Sequence, residues 1–171
     1  MTLLSTTARV LRRAFACGLF AAATAHAQLP VLPAADQEVL LASADPALAA
    51  NKKLVWDFWR EVFEGGHMEL ADKYMAESYI QHNPNVPTGR AAFVSFFTQF
   101  AKPKAIQPRI AAPLVSIVAE RDLVILSFVR ETRDPKDAAK GGGKSATTTW
   151  FDMFRIENGK IAEHWDCAPK Q

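Results

Sequence analysis

An aspartate among aromatic residues is the side chain whose setting most favours chemistry. Residues 150–156 read Trp-Phe-Asp-Met-Phe-Arg-Ile. Side chains alternate between two faces along a strand, so Asp152 shares a face with Trp150 and Phe154. If that face lines a cavity, burial raises the carboxyl pKa and suits the group to proton transfer near neutral pH. Asp152 is therefore the predicted catalytic acid–base. Exposure to solvent, or pairing with a nearby arginine, is the equally weighted alternative.

The register of the last hairpin decides which side chains accompany this aspartate. Asn158-Gly159 between two apolar runs predicts a two-residue turn. Regular pairing outward from this turn sets Asp152 opposite Trp165. The predicted catalytic face then carries Trp150, Asp152, Phe154, Ile156, Ile161 and Trp165. The other face carries Phe151, Met153, Arg155, His164 and Asp166, which predicts His164 and Asp166 as scaffold or as a dimer contact paired with Arg155.

His82 is the second predicted catalytic residue. It ends the extended run Tyr79-Ile-Gln-His and precedes a loop that begins at Asn83-Pro84. A histidine there could assist Asp152, or it could be a turn residue that caps backbone carbonyls. Arg109 and Arg130 are either substrate clamps or exposed strand arginines. The predicted substrate-binding residues are Tyr79, Trp150, Phe154, Trp165 and Trp59.

Several familiar catalytic motifs do not occur in the sequence. The histidines after the first 27 residues, His67, His82 and His164, lack metal-ligand spacing such as His-Glu-x-x-His. A site built from dispersed histidines and carboxylates stays open. There is no Gly-x-Ser-x-Gly elbow. The glycine run 141–143 does not form a phosphate loop, because Ala138 stands where a glycine is required and a strand follows. We therefore predict neither a metal nor a cofactor.

The elements that must position these residues follow from periodicity and turn signals. Asp45-Pro46 begins a helix with a wide apolar stripe, and Gly65-Gly66 ends it. A second, short helix covers Met68 to Tyr74, and a phenylalanine-rich third runs from Thr88 or Gly89 towards Pro103. Period-two segments predict strands over residues 75–82, 109–120, 123–132, 145–156 and 160–168, with a polar loop over 133–144. Helices followed by a meander predict an α+β fold with helices on one face of a bent sheet.

The chain is predicted to be exported. Arg9, Arg12 and Arg13 precede an apolar stretch, and Ala25-His26-Ala27 fits a cleavage site, so residues 1–27 read as a signal peptide. The stretch is too short to span a bilayer, so no membrane insertion is expected after its removal. Residues 28–45 are interpreted as a flexible lead-in and 46–171 as one domain. The predicted location is the periplasm or the exterior.

Loss of the leader changes the charge and the cysteine count. Without its arginines, basic and acidic residues nearly balance, which does not favour binding of nucleic acid or an anionic membrane. Cys167 is then the single cysteine, so no internal disulfide can form. We predict that Cys167 is a buried apolar residue of the last strand.

Two motifs resemble the SnoaL-like branch of the nuclear transport factor 2-like superfamily. They are Tyr79-Ile-Gln-His-Asn-Pro84, followed by Gly89-Arg90, and the run from Phe151 to Asp166. The resemblance covers residues 46–168. It implies a cone-shaped, curved antiparallel sheet with about three N-terminal helices enclosing an apolar pocket, and a homodimer through the sheet.

The resemblance also implies a chemistry. Polyketide cyclases of this type catalyse an intramolecular aldol condensation without a cofactor, and Asp152 matches their acid–base aspartate. His82 matches a recurring polar residue near the pocket mouth. The expected ligand is a small apolar carbonyl compound. Pathway cyclases are cytoplasmic, whereas this chain carries an export signal. A non-catalytic module that binds a ligand or a partner is therefore the alternative. An epoxide hydrolase is the third interpretation. Such an enzyme needs an Asp-Arg-Asp cluster, of which Asp152 with Arg109 or Arg130 would supply part, but no second acid is evident in the sequence.

Overall fold

A computed structural model describes residues 29–133 and 145–171 of the chain. The predicted signal peptide and most of the predicted glycine-containing loop lie outside these residues. The described helices are α1 (Pro46–Phe58), α2 (Ala71–Tyr74) and α3 (Arg90–Thr98), with a π-helical turn Trp59–Glu64 and short 3-10 turns Glu38–Leu41 and Met68–Leu70. The strands are β1 (Met75–Gln81), β2 (Leu114–Glu120), β3 (Leu123–Arg133), β4 (Ser145–Glu157) and β5 (Lys160–Asp166).

Helix α1 begins as its sequence predicts. The Asp45 carboxylate accepts the Ala47 backbone N–H at 2.7 Å, and Pro46 occupies the first helical position. The helix continues through the π-helical turn and ends at Gly65. This widened turn orients Trp59 and Val62 towards the core, where both are buried.

The five strands form one curled, open sheet in the order β1-β5-β4-β3-β2. Strands β2 to β5 pair antiparallel with their sequence neighbours, whereas β1 pairs parallel with β5. The α+β fold class is confirmed, but the expectation of an antiparallel sheet throughout needs correction. The reason is that α3 and a long connection separate β1 from the other strands, so no hairpin fixes its direction.

Strand β2 starts later than predicted, at Leu114 rather than Arg109. The buried Gln37 side chain donates to the Ile110 carbonyl and accepts the Ile110 N–H, each at 2.9 Å. These bonds take the backbone groups that a strand partner would otherwise pair. They also hold part of the segment interpreted as a flexible lead-in, since Ala34 N–H donates to the Leu114 carbonyl as well.

The core lies between the helices and the inner face of the sheet. Its largest fully buried side chains are Tyr74, Phe154, Met75, Leu114 and Leu126. Cys167 is exposed, because β5 ends one residue earlier, so its predicted burial is wrong. Within the described residues, every helix is too short or too polar to cross a membrane.

Candidate active site

A β-bulge in the last hairpin determines which polar side chains face the core. The turn at Asn158-Gly159 and the pairing of Ile156 with Ile161 agree with the prediction. The register then shifts by one, so Ala162 is the extra residue and Asp152 pairs with Asp166. The predicted pairing of Asp152 with Trp165 is therefore wrong.

The shift reverses the faces of the outer half of β5. His164 now pairs with Phe154 and lies on the same face as Asp152, as does Asp166. Trp165 moves to the opposite face beside Met153. The prediction that His164 and Asp166 lie opposite Asp152 is corrected, because a one-residue slip exchanges the two faces of a strand.

The bulge brings Asp152 and His164 into direct contact. His164 Nε2 lies 3.1 Å from Asp152 Oδ1, and only 5% of Asp152 and 8% of His164 is exposed. The predicted pairing of His164 or Asp166 with Arg155 is not formed, since Arg155 Nε donates instead to Glu163 Oε1 at 2.7 Å on the other face. The site therefore contains a buried carboxyl–imidazole dyad.

Gln81 on β1 sets the tautomer of His164. Gln81 Oε1 accepts the Asn83 backbone N–H at 2.9 Å, and Gln81 Nε2 donates to the Tyr79 hydroxyl at 2.9 Å. Since Oε1 also lies 2.8 Å from His164 Nδ1, that nitrogen must donate. Nε2 therefore faces Asp152, and a single proton lies between the two side chains.

The surroundings of Asp152 favour the protonated form of its carboxyl group. Its second oxygen, Oδ2, is buried and has no hydrogen-bond partner among the described residues. Burial is the main cause that raises the pKa of Asp152. The hydrogen bond and charge of His164 oppose this rise, and the charge of Asp166 adds to it.

Asp166 is held more firmly than Asp152. Its Oδ2 accepts the Asn83 side-chain amide at 2.6 Å, and its Oδ1 accepts the Ala168 backbone N–H at 2.8 Å. Because both oxygens already accept hydrogen bonds, Asp166 is better suited to act as a fixed charge beside Asp152 than as the proton carrier.

A cavity of about 320 Å³ opens next to the dyad. Its walls are mostly aromatic and come from α1, the π-helical turn, α3 and the inner sheet face. Tyr79 lies at this wall, and burial raises the pKa of its phenol, so the hydroxyl stays protonated. The lining residues include Phe58, Trp59, Phe63, Tyr79, Gln81, Phe93, Phe96, Phe97, Asp152, Phe154, His164 and Asp166.

The structure separates the predicted site residues into two groups. Tyr79, Phe154 and Trp59 line the cavity with Asp152, and Trp150 lines an adjoining one. His82 and Trp165 lie on the opposite face of the sheet, where their rings stack with centroids 4.7 Å apart. His82 Nε2 also lies 2.9 Å from Glu163 Oε2. The structure thus does not bring His82 and Asp152 together.

One group of side chains could hold a divalent cation. Asp152, His164 and Asp166 each offer a ligand atom, and these atoms lie within 4.8 Å of one another. An oxygen- and nitrogen-donor set with an open cavity side suits zinc or manganese. Binding a cation would require His164 Nε2 to leave Asp152, because that nitrogen cannot serve both.

Sequence reasoning missed the role of three residues: His164, Asp166 and Gln81. A signal for the first two exists, because Ile161-Ala162 interrupts the alternation of β5 with two consecutive apolar residues, both of which are buried. Such a break is typical of a bulge. Gln81 carried no comparable signal, since its partner lies on a strand 83 residues away along the chain.

Comparison with known proteins gives a family. A model of the SnoaL-like polyketide cyclases matches residues 53–171. No curated protein matches the chain. Similar solved structures include TsrD from Streptomyces laurentii, with 20% identity over 72% of this chain and 90% of that one and a TM-score of 0.45.

Two further solved structures are similar at lower or comparable identity. An NTF2-like protein of unknown function from Mesorhizobium loti has 18% identity over 72% of this chain and 94% of that one, with a TM-score of 0.46. An LEH-like epoxide hydrolase from M. tuberculosis has 11% identity over 71% and 80%, with a TM-score of 0.48. The family match covers more than half of the sequence, and on that ground the chain belongs to the SnoaL-like polyketide cyclase family.

Proposed function

We propose that this protein is a cofactor-independent acid–base enzyme of the cyclase or isomerase type that acts on a small apolar carbonyl compound. The observation that carries the proposal is the buried Asp152–His164 dyad at the wall of an aromatic cavity, with Asp152 Oδ2 left without a partner among the described residues. A carboxyl group of raised pKa that lines the cavity is suited to remove a proton from carbon.

The proposed reaction starts with proton removal. Asp152 takes the proton α to the substrate carbonyl, and the resulting enolate attacks a second carbonyl carbon, which forms a carbon–carbon bond. The proton on Asp152 then passes to the new alkoxide. His164 stabilises the carboxylate through Nε2, and Gln81 keeps the imidazole in orientation. In an isomerisation the same proton returns to a different carbon.

Tyr79 is the proposed donor to the enolate oxygen. Its hydroxyl accepts from Gln81 Nε2, which leaves the O–H hydrogen to donate to a bound ligand. A protonated phenol held in an apolar wall stabilises developing charge without reorganisation. Tyr79 replaces His82 in this role, because His82 lies on the other face of the sheet.

Two alternatives use the same cavity. A ligand-binding module would hold an apolar molecule without turnover, and the aromatic lining favours such binding as much as it favours catalysis. An epoxide hydrolase requires two acids and an arginine. Asp166 supplies the second acid, but among residues 29–133 and 145–171 no arginine hydrogen-bonds to Asp152. Acid–base chemistry at Asp152 therefore fits the contacts better.

The pH dependence of turnover distinguishes Asp152 from other bases. Because the base must be ionised, kcat/KM should rise with pH through the pKa of Asp152, above the ordinary aspartate value of about 4. In His164→Phe the loss of the hydrogen bond raises that pKa, so the acid limb moves to higher pH. In Asp166→Asn the loss of negative charge lowers it, so the limb moves to lower pH.

Measured pH profiles of kcat/KM for the wild type and both variants check this prediction. Glu69→Gln, an exposed substitution outside the cavity, serves as the control and should leave the limb unchanged. Movement of the limb in the same direction in both variants would show that Asp152 is not the titrating base.

The outer face of the sheet supports a further proposal, that the protein forms a homodimer. Val118, Ile125, Met153 and Trp165 form a continuous row across β2, β3, β4 and β5. Val118 is 54% exposed, and Phe151, two residues before Met153 on the same face of β4, is 47% exposed. A contiguous apolar row on a sheet face is typical of an association surface.

Sedimentation equilibrium tests this proposal. We expect twice the monomer mass for the wild type and the monomer mass for Val118→Lys, because a buried unpaired ammonium opposes association. Val39→Lys changes an exposed apolar residue of the 3-10 turn Glu38–Leu41, outside this row of strand residues, and should remain dimeric. A monomeric wild type at tens of micromolar protein would contradict the proposal.

The proposed setting of this activity is outside the cytoplasm. The basic, apolar and small-residue regions of residues 1–27 support export with cleavage after Ala27. A substrate met in the periplasm or the exterior would be a diffusing compound, and not one handed over by a synthase.

A further inference from the structure

A second cavity adjoins the first at the dyad. It has a volume of about 450 Å³ and shares Trp59, Phe63, Asp152 and Asp166 with the first cavity. The remaining wall comes from the Ala112-Pro113 turn and from the inner faces of β3 and β4. A ligand that reaches Asp152 can therefore extend to either side of it.

Arg130 is the arginine in the described lining of these two cavities, and its planar guanidinium matches the geometry of a carboxylate. It follows Phe128 on the inner face of β3 and lies at the exposed end of the second cavity. Its guanidinium carbon is 4.4 Å from the centroid of the Trp150 ring. Stacking on an indole fixes the plane of the guanidinium while its N–H edge stays available to a carboxylate.

The register gives the approximate spacing along β4 between the position of this cation and Asp152. Arg130 pairs with Thr148, but its guanidinium lies over Trp150, two residues before Asp152 on the same face of β4. Two residues along a strand span about 7 Å. A ligand with an acidic group about 7 Å from its reacting carbon would contact both Arg130 and Asp152.

We propose that Arg130 and Trp150 form a carboxylate subsite, so that the ligand of this protein is an apolar keto acid and not a neutral carbonyl compound. The inference rests on the proposed function and specifies its substrate class. The apolar body of the ligand lies between the aromatic walls, its carbonyl lies beside Asp152, and its carboxylate accepts two N–H groups of Arg130. This arrangement also keeps the acidic group of the ligand away from the negative charges of Asp152 and Asp166.

The test compares two probes of equal size and different charge, 2-naphthylacetate and 2-naphthylacetamide, by isothermal titration calorimetry. The wild type should bind the carboxylate about tenfold more tightly than the amide, a typical effect of a charge-assisted pair. Arg130→Gln should bind both probes equally, with an amide affinity within about twofold of the wild type. Added salt should weaken only the carboxylate.

The matched control is Arg109→Gln. Arg109 lines a third cavity with Gln37 and Gln107. This cavity borders the second one at Ala112-Pro113, but neither Arg130 nor Asp152 lines it, so removal of Arg109 should leave the carboxylate preference intact. Equal affinity of both probes for the wild type, a preference that persists in Arg130→Gln, or failure of both probes to bind at millimolar concentration would each overturn the proposal.

Binding also separates this inference from the proposed catalysis. Asp152→Asn should keep the carboxylate preference, because Asp152 does not contact the acidic group. If the wild type showed no preference for the carboxylate probe while its turnover still depended on Asp152, the subsite alone would be overturned. An intact preference without turnover on any keto acid would overturn the proposed function alone.

Discussion

Asp152→Asn should reduce kcat by about a thousandfold, within the range of general acid–base catalysis, while ligand affinity changes little. The amide keeps the shape of the carboxyl group, and its N–H can donate to His164 Nε2, the acceptor nitrogen of a neutral imidazole whose Nδ1 donates to Gln81. It cannot take a proton from carbon. Steady-state kinetics on keto acids turned over by the wild type, with calorimetry for binding, measure both effects.

The same variant should not be less stable than the wild type. The pKa of Asp152 is raised in the folded state, so this group favours folding below its unfolded pKa of about 4 and loses that contribution as pH rises. The amide cannot ionise and so avoids the cost of burying a charged carboxylate at high pH. The melting temperature at pH 8 should therefore be higher than that of the wild type, and the gain should vanish near pH 4. Thermal unfolding at both pH values measures it.

Asp72→Asn is the matched control for turnover, because Asp72 is an exposed aspartate on α2. It should keep wild-type kcat. Activity of Asp152→Asn above about a tenth of the wild type would remove Asp152 from the mechanism, since a general base contributes at least about a hundredfold.

Gly66→Ala should destabilise the fold by about 3–4 kcal/mol, through left-handed strain and overpacking. Gly66 has φ +74°, and a Cβ atom there would lie 2.5 Å from the Lys102 carbonyl oxygen. Backbone, not a flexible side chain, would have to move. The melting temperature should fall by roughly 10–15 °C. Circular dichroism during heating measures this change.

Gly159→Ala separates the two causes. Gly159 has φ +70°, but no atom lies within 4 Å of the position that an alanine Cβ would take there, so only the backbone strain remains. The expected cost is about 1–2 kcal/mol. If both variants lost equal stability, close packing of Gly66 against Lys102 would not be the larger cause.

Local signals in the sequence predicted most of the fold. Asp45-Pro46 set the start of α1 and Asn158-Gly159 set the hairpin, because a cap and a turn depend on adjacent residues. Contacts between segments far apart in the sequence could not be predicted from such local signals. The parallel contact of β1 with β5, and the capture of the Ile110 backbone by Gln37, join segments far apart in the chain.

The candidate site was predicted in part. Alternation along β4 placed Asp152 and Phe154 on one face, and this agrees with the structure, where both line the cavity. His164 and Asp166 were placed on the wrong face because the register was extended past Ala162 without a bulge. One extra residue was enough to place a histidine, and not the predicted tryptophan, beside Asp152.

The bulge at Ala162 also constrains how this strand can evolve. Deleting one residue there would turn every later side chain of β5 around, so that His164 and Asp166 would point outward and Trp165 into the cavity. Loss of two residues would preserve the facing. Insertions and deletions in β5 between the turn and His164 should therefore involve an even number of residues. An alignment of related sequences would show this at position 162.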